Sequence, residues 1–70
     1  MNKSAYVVAI AAPVPKRGFS VEDAATYTAL GVYKIRKLIR DNRLIARRHG
    51  KDVIILKEDL DVLLEGLEIV

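Results

Sequence analysis

Residues 32–41, "VYKIRKLIRD", carry two stripes that no single environment can satisfy. Read at helical spacing, Val32, Ile35, Leu38 and Ile39 fall on one side, and Tyr33, Arg36, Lys37 and Arg40 on the other. The apolar stripe needs a core. The basic stripe needs water or a polyanion. A helix of this kind must lie on the surface of its domain, with an aromatic at the N-terminal end of its cationic face.

The core has to be aliphatic. The chain has 70 residues and no cysteine, so neither a disulfide nor a thiolate metal site is available to a domain of marginal size. His49 is the single histidine and has no partner ligands nearby in the sequence, which fits a turn residue better than a metal ligand. The chain has no glycine-rich phosphate loop, and its acids fall on helix faces without a paired site. These patterns speak against an enzyme and call for no cofactor and no metal.

Charge is strongly segregated. Residues 34–51 carry eight cations against Asp41 alone, a net +7, whereas residues 52–70 carry Lys57 against six acids, a net −5. The whole-chain value of +3 conceals this split, which points one face at a polyanion. The alternative is a solvated helix with clustered charge. The longest apolar run, Ala5 to Ala12, is far short of the ~20 residues that cross a bilayer. With Lys3 before it and Ala9 to Ala11 at its end it has the layout of a secretion signal, but it is shorter than the usual ~15–30 residues.

Residues 1–17 read as an N-terminal arm and 18–70 as the folded domain. Tyr6 to Ile10 favours a strand by composition, and Pro13 and Pro15 then stop regular structure. A first helix starts at Ser20, whose hydroxyl is placed to accept from the amide of Asp23 in a capping-box arrangement; Val21, Ala24, Ala25 and Thr28 form its inner face. Gly31 breaks the pattern and either caps the next helix or relaxes a tight turn. The second helix runs from about Val32 to Asp41, about three residues after the first, which is helix-turn-helix spacing. Leu44 to Ala46 and Val53 to Leu56 read as short strands joined by a basic tip, Arg47 to Asp52, with Gly50 at the bend. Leu60, Leu63, Leu64 and Leu67 give a third helix with a core stripe, and Glu58 and Asp59 suit its first turn. The fold class expected is therefore α+β, a small winged helix-turn-helix of three helices and a β-hairpin wing, with an arm able to add a strand.

The run "FSVEDAATYTALGVYKIRKLIRDNRLIARRHGKDVIILKEDLDVLL" resembles the excisionase-like helix-turn-helix family, related to the DNA-binding domain of MerR-type regulators. The hydroxyl residue followed by an acid–alanine pair is Ser20 to Ala25, the helix end and "RL" are Leu38 to Leu44, and the closing "EDL" is Glu58 to Leu60. The resemblance covers about residues 19–65. One departure is visible. The family's "LGVS" turn is matched by Leu30-Gly31-Val32 only two residues late, and a gapless register puts Gly31 where the family has a capping serine.

The resemblance implies a second helix in the major groove, with Tyr33, Lys34, Arg36 and Lys37 as base readers and Arg40 and Arg43 on phosphates. Tyr33 has a second possible fate, packing against the first helix. The wing would bring Arg47, Arg48, His49 and Lys51 over the backbone or minor groove. It further implies a cytoplasmic excisionase in a bacterium or phage-infected host. Such a factor binds double-stranded DNA near an attachment site and steers an integrase towards excision. MerR-type regulators add a long dimerising helix, for which this sequence leaves no room; several copies along the DNA, or a partner, are expected instead. Two other DNA-binding roles stay open, a phage or bacterial transcriptional regulator and the DNA-recognition domain of a small terminase subunit. A module that binds an acidic protein is the reading from a different class.

Overall fold

The computed structural model describes residues 15–70, so the strand expected at Tyr6–Ile10 lies outside the described residues. The elements in order are β1 (Gly18–Phe19), α1 (Val21–Thr28), α2 (Val32–Arg40), β2 (Arg47–His49), β3 (Asp52–Leu56) and α3 (Lys57–Glu65). β3 is the centre of a three-stranded antiparallel sheet, with β1 on one side and β2 on the other. This is the α+β architecture of a winged helix-turn-helix.

α1 forms as its sequence dictates. Ser20 is the N-cap, in extended conformation, and its Oγ accepts from the Asp23 amide at 3.0 Å. Ala24 and Ala25 are buried, and their small side chains let α2 and the sheet approach closely. Thr28 is the one buried polar residue among the described residues, and it is satisfied twice: its hydroxyl donates to the Ala24 carbonyl at 2.8 Å and accepts from the Leu30 amide at 3.3 Å. The helix stops at Ala29, which sits in the left-handed region at φ 62°. Gly31 follows at φ 90° and caps α2 with backbone alone, its carbonyl accepting from the Ile35 amide at 3.2 Å. A Cβ at Gly31 would meet nothing within 4 Å, so it is the dihedral angle that calls for glycine, not the space. The turn is therefore Ala29-Leu30-Gly31, in agreement with the gapless register.

α2 ends in a Schellman motif. Asn42 is left-handed at φ 60°, its amide donates to the Ile39 carbonyl at 3.1 Å, and the Arg43 amide donates to that of Leu38 at 2.8 Å. The chain turns there and drops Leu44 into the core.

This exit explains a correction. Leu44 to Ala46, expected as a strand, is not one; Ile45 is 58% exposed, and β2 begins at Arg47, three residues after Leu44. Hairpin register is set by the turn. Gly50 and Lys51 make a two-residue connection with Gly50 at φ 64°, so His49, Arg48 and Arg47 pair with Asp52, Val53 and Ile54. Arg47, Arg48 and His49 are thus strand residues, and the tip is only Gly50 and Lys51. The added strand is Gly18–Phe19, which pairs with Leu56 and Ile55.

The core gathers Phe19, Ala24, Ala25, Ile35, Leu44, Ile55 and Leu60, with Ile35, Ile55 and Leu60 fully buried. The predicted stripe of α3 holds for Leu60 and, half-buried, for Leu63 and Leu64. Leu67 departs from it. The helix closes at Glu65 with Gly66 as its cap, which takes Leu67 off the helical stripe and leaves it 48% exposed. Val32, expected on the inner stripe of α2, stays 37% exposed at the open end of its helix.

Polar ties fasten the ends of the elements. The Lys57 amide donates to the Arg17 carbonyl at 2.7 Å, and Arg17 pairs with Glu58 at 2.9 Å. Tyr27 of α1 donates its hydroxyl to Asp61 of α3, which also holds Lys57 at 2.8 Å. Hydrogen bonds from Lys57 and Tyr27 hold the Asp61 carboxyl below its ordinary value, and the same carboxylate raises Tyr27 and Lys57 above theirs. The Phe19 ring lies 5.0 Å from that of Tyr27, which joins this tie to the core.

Ala29→Gly is expected to stabilise the domain by about 0.5–1 kcal/mol. Relief of left-handed strain at an L-residue, ~1–2 kcal/mol, exceeds the extra freedom that glycine gives the unfolded chain. A denaturant titration of the two proteins checks it.

Candidate nucleic-acid interface

The cationic residues differ in how they are neutralised. Lys16, Arg17 and Lys57, outside the basic segment, each hold a carboxylate: Asp23, Glu58 and Asp61 respectively. Of the eight cations in residues 34–51, only Arg36 and Lys37 do, with Glu22 at 3.6 Å and Asp41 at 3.1 Å. Lys34, Arg40, Arg43, Arg47, Arg48 and Lys51 have no carboxylate within 4.0 Å among the described residues. All eight are exposed. Among the described residues, the excess positive charge is therefore confined to α2, the turn after it, and the wing.

Burial of Ile35 orients α2. Tyr33, Lys37 and Arg40, at i, i+4 and i+7, stand furthest from the core, and Tyr33 is 72% exposed, which excludes its packing into α1. The two flanks differ. Arg36 borders a cleft of about 490 Å³ that also touches Ser20 and Glu22 of the first helical segment and Lys51 and Ile54 of the wing. Lys34 and Arg43 border a groove of about 460 Å³ on the other side, floored by Leu30, Leu38, Leu63 and Leu67. Arg36 and the wing thus face one space, while Lys34 and Arg43 face another.

Strand alternation divides the wing. Arg48 pairs opposite Val53 and shares the face that carries buried Ile55. Arg47 and His49 pair opposite Ile54 and Asp52, on the other face. Lys51 is at the tip. These are two exposed surfaces, a helix face and a hairpin, separated by one cleft, with positive charge on both. The arrangement suits an elongated anion, with regularly spaced charges neutralised by side chains from two elements.

One residue of this surface lies outside the basic segment of the sequence. Glu22 reaches Arg36 across the helix turn, a contact 14 positions apart. No periodic pattern signals such a pair, because its two members lie on different elements.

No helix among the described residues is long and apolar enough to cross a membrane. Neither a curated protein nor a solved structure matches the chain. A family model described as a helix-turn-helix domain does match, over residues 19–67, and that span holds all three helices and the wing. The chain therefore belongs to the helix-turn-helix domain family, a DNA-binding family that includes excisionase-like proteins.

Proposed function

We propose that this protein recognises a duplex DNA sequence with α2 in the major groove and the β2–β3 wing on the adjacent backbone, and that it serves as an excisionase-type factor. The observation that carries the first part is the set of six cations without a carboxylate partner among the described residues, all of them on α2, the turn after it and the wing. Phosphate contacts set orientation, and base contacts carry sequence information. Arg40 and Arg43, at and beyond the C-terminal end of α2, and Arg47, Arg48, His49 and Lys51 of the wing take the first role. Tyr33, Lys34, Arg36 and Lys37, in its first two turns, take the second.

The excisionase part rests on the resemblance of residues 19–65. A single module of this kind covers only ~600–1,000 Å² of DNA-facing protein surface. Occupancy of a site then needs several copies side by side or a partner such as an integrase. The protein would act in the cytoplasm of a bacterium or an infected host, where that DNA is. Footprinting separates this role from that of a transcriptional regulator or a terminase subunit. Phased sites beside an integrase target favour excision, and a lone operator at a promoter favours regulation.

Binding to random duplex is expected to weaken with salt at a slope near −5 in log affinity against log concentration, the value for about six phosphates neutralised. Titrations at several salt concentrations measure it. Affinity that barely changes with salt contradicts DNA binding and favours an acidic protein partner. Arg36→Ala is expected to relax sequence preference by about 1–3 kcal/mol, the worth of one bidentate contact to a base. Arg47→Ala should weaken all sequences alike. Competition binding against a randomised pool distinguishes these outcomes, and the reverse pattern would exchange the roles of helix and wing.

A further inference from the structure

Among the described residues, Arg36 is the one cation of α2 paired with a carboxylate from a different element. Its Nη2 lies 3.6 Å from Oε2 of Glu22, in the first turn of α1. The neighbouring acid, Asp23, is already engaged by Lys16, and its amide by Ser20. Glu22 is thus the acid of that turn left to reach across, and it does so at the edge of the cleft that separates α2 from the wing.

Stability does not account for the pair. Its side chains are 63% and 68% exposed, and ion pairs in water contribute little. Electrostatics towards a polyanion count against it, since a carboxylate in this cleft repels arriving phosphates and cancels part of the charge of Arg36. What the contact does supply is direction. An arginine on a helix surface has many rotamers. A carboxylate on one side, here at 3.6 Å and so an ion pair rather than a hydrogen bond, favours the rotamers that bring the guanidinium towards it. A bidentate contact to a base edge depends on the direction of that fork.

We propose that Glu22 is a specificity-determining positioning residue: it orients the Arg36 guanidinium for base recognition and lowers affinity for DNA in general, so that discrimination is gained at the expense of non-specific binding. This rests on the reading of α2 as the recognition helix. Removal of the carboxylate charge frees Arg36 to meet any nearby phosphate and removes one repulsive charge. Non-specific binding then tightens, while binding to the preferred sequence gains less or weakens.

The test compares wild type, Glu22→Gln, Arg36→Ala and the double variant on two probes, a randomised duplex and the duplex that wild type enriches from that pool. Glu22→Gln is expected to bind the randomised duplex several-fold more tightly, with its ratio of preferred to random affinity at least about fivefold lower, the lower end of one bidentate contact. In the Arg36→Ala background the same substitution should leave the ratio unchanged, because the effect acts through Arg36. A ratio equal to that of wild type, or an equal change in both backgrounds, overturns the proposal. Proportional loss on both probes with a lowered melting midpoint assigns Glu22 to support of α1 and overturns it as well. A wild-type protein that binds DNA without discrimination, or not at all, sinks the reading of α2 itself, which is a separate failure.

Discussion

Burial of Ile35 is the constraint on which the rest of this molecule depends. It is fully buried among Phe19, Ala24, Ala25, Ile55 and Leu60, the residues that bring β1, α1, β3 and α3 together. Once that side chain is inside, helical geometry leaves Tyr33, Lys37 and Arg40 no choice but to face away. The alanines of α1 make this possible by letting α2 lie close. A larger residue at Ala24, which has no exposed surface, would push α2 outwards and change the angle at which its basic face is presented.

Two turns fix the ends of α2, and each rests on a positive φ. Gly31 starts the helix without a side-chain cap, and Asn42 ends it in a Schellman motif that sends Leu44 inwards. Between them the helix has nine residues, two and a half turns, long enough for the base-reading first half and phosphate-facing second half proposed for it. The wing is held more loosely. β2 has three exposed residues and, among the described residues, pairs only with β3, so its position relative to α2 depends on the central strand. β3 is anchored by Ile55 and by β1 on its far edge, so the short segment Gly18–Phe19 indirectly braces the wing.

Much of this was legible in the sequence. The Ser20 cap, the two stripes of α2, the Val53–Leu56 run and the bend at Gly50 each have a local cause, and local causes leave local patterns. What was not legible has a common reason too. "LIA" at 44–46 has strand composition and "RRH" at 47–49 does not, yet pairing register, a property of the turn and of the partner strand, selects the second. β1 is too short for any periodicity to show. Leu67 continued the leucine stripe on paper, and the helix ended before reaching it. Glu22 and Arg36 meet only because the turn at Ala29–Gly31 brings α1 and α2 side by side.

The central claim is that α2 and the wing form one DNA-binding surface. Its most direct test is a map of backbone amide chemical shifts on titration with a short duplex. The account predicts perturbations concentrated at Tyr33–Arg43 and Arg47–Lys51, with the exposed positions Val62 and Glu65 near the end of α3 little changed. Perturbations concentrated on α3 while α2 and the wing stay silent would contradict it.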